Sequence, residues 1–318
     1  MLMNLIEFQD QFPDEESCKL KWREMREEVG VVCPICGCTE YYWKQDKESF
    51  ECKQCHHRQS LKAGTIMHGS QLPFRYWFMA IHLLTSTKKS FSASELQRQL
   101  GHKYYRPIWA MLHKLRHAMG KRDANYKIDG DAELDEGFFT VEMDGDRKLG
   151  TLKRGRGSQR KQKVLVIAES AKVSDKERPV KGKRLKTRKV GHIKMFVIDD
   201  LKAETIDGIV EKHVSAKSRL DTDDSSSYVH LKDKVSEHRP QVIPPKETGK
   251  MLPWVHIAIS NAKRLILDIY HSIEPMFLQS YLDEFCYKFN RRYFGKHLFD
   301  RMLVASVSCK NEFRYRIN

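Results

Sequence analysis

Apolar and polar residues along this chain follow two different periods, and the change comes near Lys121. Before it the spacing is helical. Phe74–Leu84 (FRYWFMAIHLL) carries apolar residues at helical intervals, and a second helix is predicted from Ser90 to Leu100, with Ser92 and Glu95 in capping-box spacing and a break at Gly101. A third is predicted over Arg106–Met119, with Ile108, Met111, Leu112 and Leu115 as its apolar stripe. After Lys121 the pattern turns to strands: Ala132–Glu142, Lys163–Ala168 and Ile193–Ile198. Leu201–Val214 reads as a helix, and Arg219–Asp223 as a short strand ending in acid. A late helix runs to Arg292 with Leu282, Phe285 and Phe289 as core. Near the start, Tyr41–Trp43 and Ser49–Glu51 read as two short strands joined by a polar turn.

Composition adds a location for charge. The 318 residues hold 57 Lys+Arg and 42 Asp+Glu, a net charge of +15. The window Arg147–Lys189 alone holds 17 basic and 3 acidic groups, a balance of +14, and the rest of the chain is nearly neutral. That excludes a uniformly basic protein and points to nucleic acid at one region. The window covers two connections, before and after the strand Lys163–Ala168. Lys183, Arg184, Lys186, Arg188 and Lys189 are its candidate phosphate contacts; a pair of merely solvated loops is the competing reading. The length suggests about two domains. Mean hydropathy is −0.61, no apolar run reaches the roughly 18 residues of a membrane span, and the first residues lack a signal-peptide pattern. A soluble cytoplasmic chain is expected, with no membrane partner and no small-molecule substrate.

Six of the eight cysteines fall in the first 55 residues. Cys33-Pro-Ile-Cys36 and Cys52-Lys-Gln-Cys55 form two CxxC knuckles, and four thiolates complete a tetrahedral Zn²⁺ site with no open position. One structural zinc ion in a zinc ribbon is expected, with Cys38, His56 and His57 as competing ligands and a redox or disulfide pair as the alternative. The short helix, the Gly101 turn and the longer basic helix follow the helix-turn-helix plan, in which Lys103, Tyr104, Tyr105 and Arg106 would meet DNA. An ordinary three-helix bundle is the alternative.

Strand, strand, strand, helix, strand is the opening order of the RNase H-like fold, an α/β architecture with a mixed sheet and flanking helices. In it the first and fourth strands are neighbours, so their carboxylates approach each other and can hold divalent metal for phosphoryl transfer. Several stretches also occur in a recognisable order: Cys33–Gly37 with Cys52–Cys55, Ser94–Gly101 (SELQRQLG), Glu133–Glu136 (ELDE), Thr222-Asp223 with Tyr228, Val255–Arg264 (VHIAISNAKR), and Tyr281–Arg292 (YLDEFCYKFNRR). With these the chain resembles the DDE-type transposases of bacterial insertion sequences, in the group with an N-terminal zinc ribbon, an RNase H-like catalytic domain, and His or Asn in place of the third acid.

The resemblance implies Asp135 and Asp223 as the catalytic aspartates. It leaves Glu133 as a ligand or ion-pair partner, Glu136 as structural, and Asp221 and Asp224 as crowding neighbours. The third position is assigned to His256, seven residues before Lys263 and hence on the same helix face, with Asn261 as runner-up. Lys263 and Arg264 would bind phosphate. Two Mg²⁺ or Mn²⁺ ions are implied, the imidazole favouring Mn²⁺. The expected organisation is a helical segment over 1–30, a zinc ribbon over 31–65, a helix-turn-helix module over 66–122, the catalytic domain over 123–300 and a tail over 301–318. The expected function is a transposase, acting as a homo-oligomer, that binds terminal inverted repeats of double-stranded DNA and catalyses cleavage and strand transfer. A catalytically degenerate DNA-binding regulator and a structure-specific nuclease on the same fold are the alternatives.

Overall fold

The computed structural model describes residues 2–143, 155, 158–173, 188–242, 251–270 and 273–313. Its helices are α1 (Leu5–Gln11), α2 (Glu15–Val29), α3 (Phe74–Ser86), α4 (Ala93–Leu100), α5 (Tyr105–Ala124), α6 (Ala203–His213), α7 (Pro253–Ile269), α8 (Leu278–Asn290) and α9 (His297–Ser308). The strands are β1 (Tyr41–Lys44), β2 (Ser49–Cys52), β3 (Arg58–Ser60), β4 (Asp131–Thr140), β5 (Lys161–Lys172), β6 (Arg188–Ile198), β7 (Arg219–Asp223) and β8 (Glu237–Gln241). They divide into two compact units, Met1–Arg122 with Arg291–Asn318, and Asp123–Asn290.

In the first unit β1, β2 and β3 form a small antiparallel sheet. Such a sheet is too small to bury a core of its own, and α2 braces one end of it. The Trp22 indole N–H donates to the Leu61 carbonyl at 3.0 Å, and the buried Arg26 guanidinium donates to the Ser60 and Leu61 carbonyls at 2.8 and 3.0 Å. α4 begins where its sequence predicts, with the Ser92 hydroxyl accepting from the Glu95 N–H at 3.0 Å. Only that half of the expected capping box forms, because the Glu95 carboxylate turns to Arg98 and Gln99 instead.

Residues 301–318 are not a tail throughout. α9 runs to Ser308, and Phe299 packs among Phe8, Phe12 and Phe78 with ring centroids 5.5–6.0 Å apart. Leu298, Met302, Leu303 and Val307 are buried with it. Their helical spacing is the reason: the stripe needs a core, and it finds one on α2 and α3. The second unit correspondingly ends at Asn290 rather than at 300.

The second unit is built on a mixed sheet in the order β6-β5-β4-β7-β8. β6, β5 and β4 are antiparallel neighbours, while β4–β7 and β7–β8 are parallel. One sheet face packs on α6: Ala132, Leu134, Leu165, Ile167 and Leu220 meet Ile206, Val210 and Tyr228. The other face lies under α7, whose Val255, Ala258, Ile259, Ala262 and Ile266 are buried. β5 is therefore covered on both sides, and Val164–Ala168 reads as an unbroken apolar run. β8 escapes prediction because it is an edge strand of polar residues containing Pro240, which an edge tolerates.

Candidate active site

β4 alternates, so Glu133, Asp135, Gly137 and Phe139 share the face beneath α7. β7 pairs with β4 in parallel, Glu133 opposite Asp221. The ladder ends there, and Asp223 closes β7 near enough for its charge to act on Asp135. α7 runs along the same strand. A Cβ on Gly137 would sit 3.3 Å from Ile259, so the glycine lets helix and strand approach closely. One turn further, the Lys263 ammonium lies 5.5 Å from the centre of the Phe139 ring. At the start of the helix, His256 Nε2 lies 3.7 Å from Asp135 Oδ2.

Burial lifts the Asp135 carboxyl to about 7, and the Glu136 and Asp223 charges add to it. Glu136 is held from beyond by the Tyr228 hydroxyl, which donates to Oε2 at 2.7 Å. Glu133 has a different position. It is 2% exposed, and its Oε2 accepts the backbone N–H of Trp254 at 2.7 Å and of Val255 at 3.1 Å. Its Oε1 accepts the Ser170 hydroxyl at 2.7 Å. The sequence carried a sign of this: α7 starts at Pro253 with Leu252 before it, which offers no capping side chain. Asp221 is likewise engaged, with Arg239 Nε at 2.7 Å.

Of the other expected residues, Asn261 is exposed and roughly 140° round the helix from His256. Burial lowers the Lys263 pKa, with Lys161 adding to it. Arg264 and Lys189 are exposed. Arg188 instead turns inward, donating to Ser170 Oγ at 2.7 Å and lying 3.9 Å from Asp131 and Asp221. Lys183, Arg184 and Lys186 lie outside the described residues. Lys103, Tyr104 and Arg106 are exposed at the start of α5.

The thiols of Cys33, Cys36, Cys52 and Cys55 all lie within 4.8 Å of one another, with Cys33–Cys55 and Cys36–Cys52 at 3.5 Å. A tetrahedron of Zn–S bonds near 2.3 Å has edges of roughly 3.8 Å, so the cluster is compatible with structural zinc. Both knuckles are the same turn: Gly37 donates back to Cys33 and His56 to Cys52, each from a left-handed residue, at φ 73° and 56°. The Cys55 N–H, more than that of Gln54, holds the Cys52 thiol down to about 6. Cys38 stands apart, its thiol against the Glu40 main chain.

A family model described as the ISXO2-like transposase domain matches residues 127–290, more than half of the chain. The chain belongs to this family. An uncharacterized protein in transposable element ISH50 of Halobacterium salinarum is 25% identical over 164 residues, covering 48% of this chain and 52% of the relative. The chain thus matches about half the length of that curated relative. The matched segment contains β4, β7 and α7 and ends with α8. No helix among the described residues is long and apolar enough to cross a membrane.

Proposed function

We propose that this chain is a DNA transposase whose RNase H-like unit cleaves DNA at the element ends and joins the freed 3′-hydroxyl to target DNA. The observation that carries the proposal is the meeting of Asp135 with His256 beneath α7, on a strand paired in parallel with the one that ends in Asp223. Asp135, Asp223 and His256 are the groups that would hold divalent metal, Mg²⁺ or Mn²⁺. Burial, with the Glu136 and Asp223 charges adding to it, holds Asp135 near 7, and a bound cation would offset both. Two such ions supply charge stabilisation to the attacking and leaving oxygens of an in-line displacement at phosphorus. His256 is preferred to Asn261 because it faces Asp135. Lys263 and Arg264 bear on DNA phosphate.

The N-terminal modules would bind terminal inverted repeats: a zinc ribbon held by the four cysteines, and a helix-turn-helix formed by α4 and α5. The exposed Lys103, Tyr104 and Arg106 after the Gly101 turn support the second. Pairing of two element ends calls for a homo-oligomer, and a cytoplasmic location follows from the DNA substrate.

The test uses the full chain, a duplex carrying the element end, and Mn²⁺. Asp135→Ala and Asp223→Ala are each expected to lower strand transfer by at least about 10³-fold while end binding persists. Transfer surviving both changes defeats the mechanism. Binding without any reaction in the wild type favours the regulator, and cleavage without joining or end dependence favours the nuclease.

A further inference from the structure

We infer that Glu133 is a positioning residue of this site, fixing the first turn of α7 and through it the place of His256 against Asp135. The inference rests on the proposed role of His256.

Glu133 and Asp135 occupy one strand face two residues apart, about 7 Å along the strand. From sequence they are interchangeable as ligand candidates. Their surroundings separate them. Both oxygens of Glu133 are already committed, Oε2 to two backbone N–H groups and Oε1 to a hydroxyl, and the side chain is 2% exposed. Its oxygens are turned to α7 and Ser170, the work of a cap. The N–H groups it accepts belong to Trp254 and Val255, the two residues before His256.

A helix N-terminus has unsatisfied N–H donors and a partial positive charge, and an anionic acceptor stabilises it. Here the cap comes from another element, so it does more than end the helix: it ties the first turn of α7 to a particular level of β4. Glu133 meets 254 and 255, Asp135 meets 256, Gly137 lies against Ile259, and Phe139 lies beneath Lys263. Packing at Ala258, Ile259 and Ala262 secures the middle of the helix. The first turn is packed as well, through the buried Leu252 and Val255, and Glu133 sets its level and rotation against β4. Ser170 fixes the Glu133 rotamer and is itself fixed by Arg188, whose Nε donates to its Oγ at 2.7 Å.

The test is a double-mutant cycle in the full chain, read by Mn²⁺-dependent strand transfer, by Mn²⁺ affinity from electron paramagnetic resonance, and by hydrogen exchange of the metal-free segment 252–258. Glu133→Ala is expected to lower both transfer and Mn²⁺ affinity about 10- to 100-fold, the usual range for a group that orients a ligand, and to speed exchange at 254 and 255. Glu133→Gln, whose carbonyl oxygen still accepts both N–H groups, is expected to recover to within a few-fold of wild type. In a His256→Ala background Glu133→Ala should cost nothing further. Additive losses, or equal losses from Gln and Ala, overturn the positioning role. If Glu133→Ala fails to fold, Ser170→Ala decides: a smaller loss that vanishes in the His256→Ala background supports the inference, and one that persists overturns it. Wild-type transfer and Mn²⁺ affinity in His256→Ala alone would instead remove His256 from the site, a separate failure.

Discussion

The four thiols and the three catalytic candidates are assembled in opposite ways. Cys33, Cys36, Cys52 and Cys55 come from two copies of one turn within 23 residues, and each turn brings its own backbone donors to its first sulfur. Asp135, Asp223 and His256 come from two strands and a helix, and these elements are brought together by sheet pairing, by the buried face of α7 and by a cross-element cap. The electrostatics differ too. Backbone N–H groups hold the Cys33 and Cys52 thiols below their usual range, whereas burial holds Asp135 above its own. A local turn pre-organises ligand charge; a site built by packing must bury charge first and await a counter-ion. The first kind is set by spacing, and the second tolerates no slip in register.

Removing the metal from the thiol cluster should separate the two regions most sharply. Cys52→Ser, or chelation of the full chain, is expected to release one zinc per chain and unfold β1–β3, since structural zinc contributes on the order of 10 kcal/mol to such small sheets. Hydrogen exchange should rise in residues 31–60 and stay unchanged in β4, β5 and β7. Equal loss of protection in both places would show that the regions do not stand apart.

The same contrast explains what was legible. The knuckles, helices α3, α4 and α5 and the strands β4–β7 followed from spacing and period, because local chemistry decides them. The expectation that Asp135 lies near Asp223 needed the strand order, and the expected choice among neighbouring acids needed the resemblance. What could not be read was side-chain chemistry acting across elements. Asn290, visible only as the end of a helix, accepts the Ile193 N–H at 2.8 Å and donates to the Ile193 carbonyl at 3.0 Å. Gln279 does the same for Val197 and Met195. Together they cover the edge of β6 with α8, completing a ladder that has no further strand among the described residues. Asn290→Ala should therefore cost about 3 kcal/mol, the penalty of leaving both backbone groups of the buried Ile193 unpaired. Urea unfolding of the full chain measures it. A loss under about 0.5 kcal/mol would mean that another group covers this edge.

The smallest expected effect concerns Asp283, on the face of α8 that carries Gln279. Gln279 donates to it at 2.8 Å, yet burial pushes its carboxyl up to about 7, with Asp123 adding to the rise. An acid whose folded pKa exceeds its unfolded value of about 3.9 favours folding most while protonated. Its contribution is complete below about pH 4 and is lost as pH rises toward 7, the reverse of a salt-bridged carboxylate. Asp283→Asn keeps an oxygen for Gln279 and removes the ionisation. Between pH 5 and pH 8 the wild type should lose about 2 kcal/mol more than the variant in equilibrium unfolding. Parallel losses would place Asp283 in contact with water and set it apart from Asp135. A divergence would add Asp283 to Asp135 as a second acid whose carboxyl this unit's packing holds up, against the cysteine cluster, where backbone donors hold thiols down.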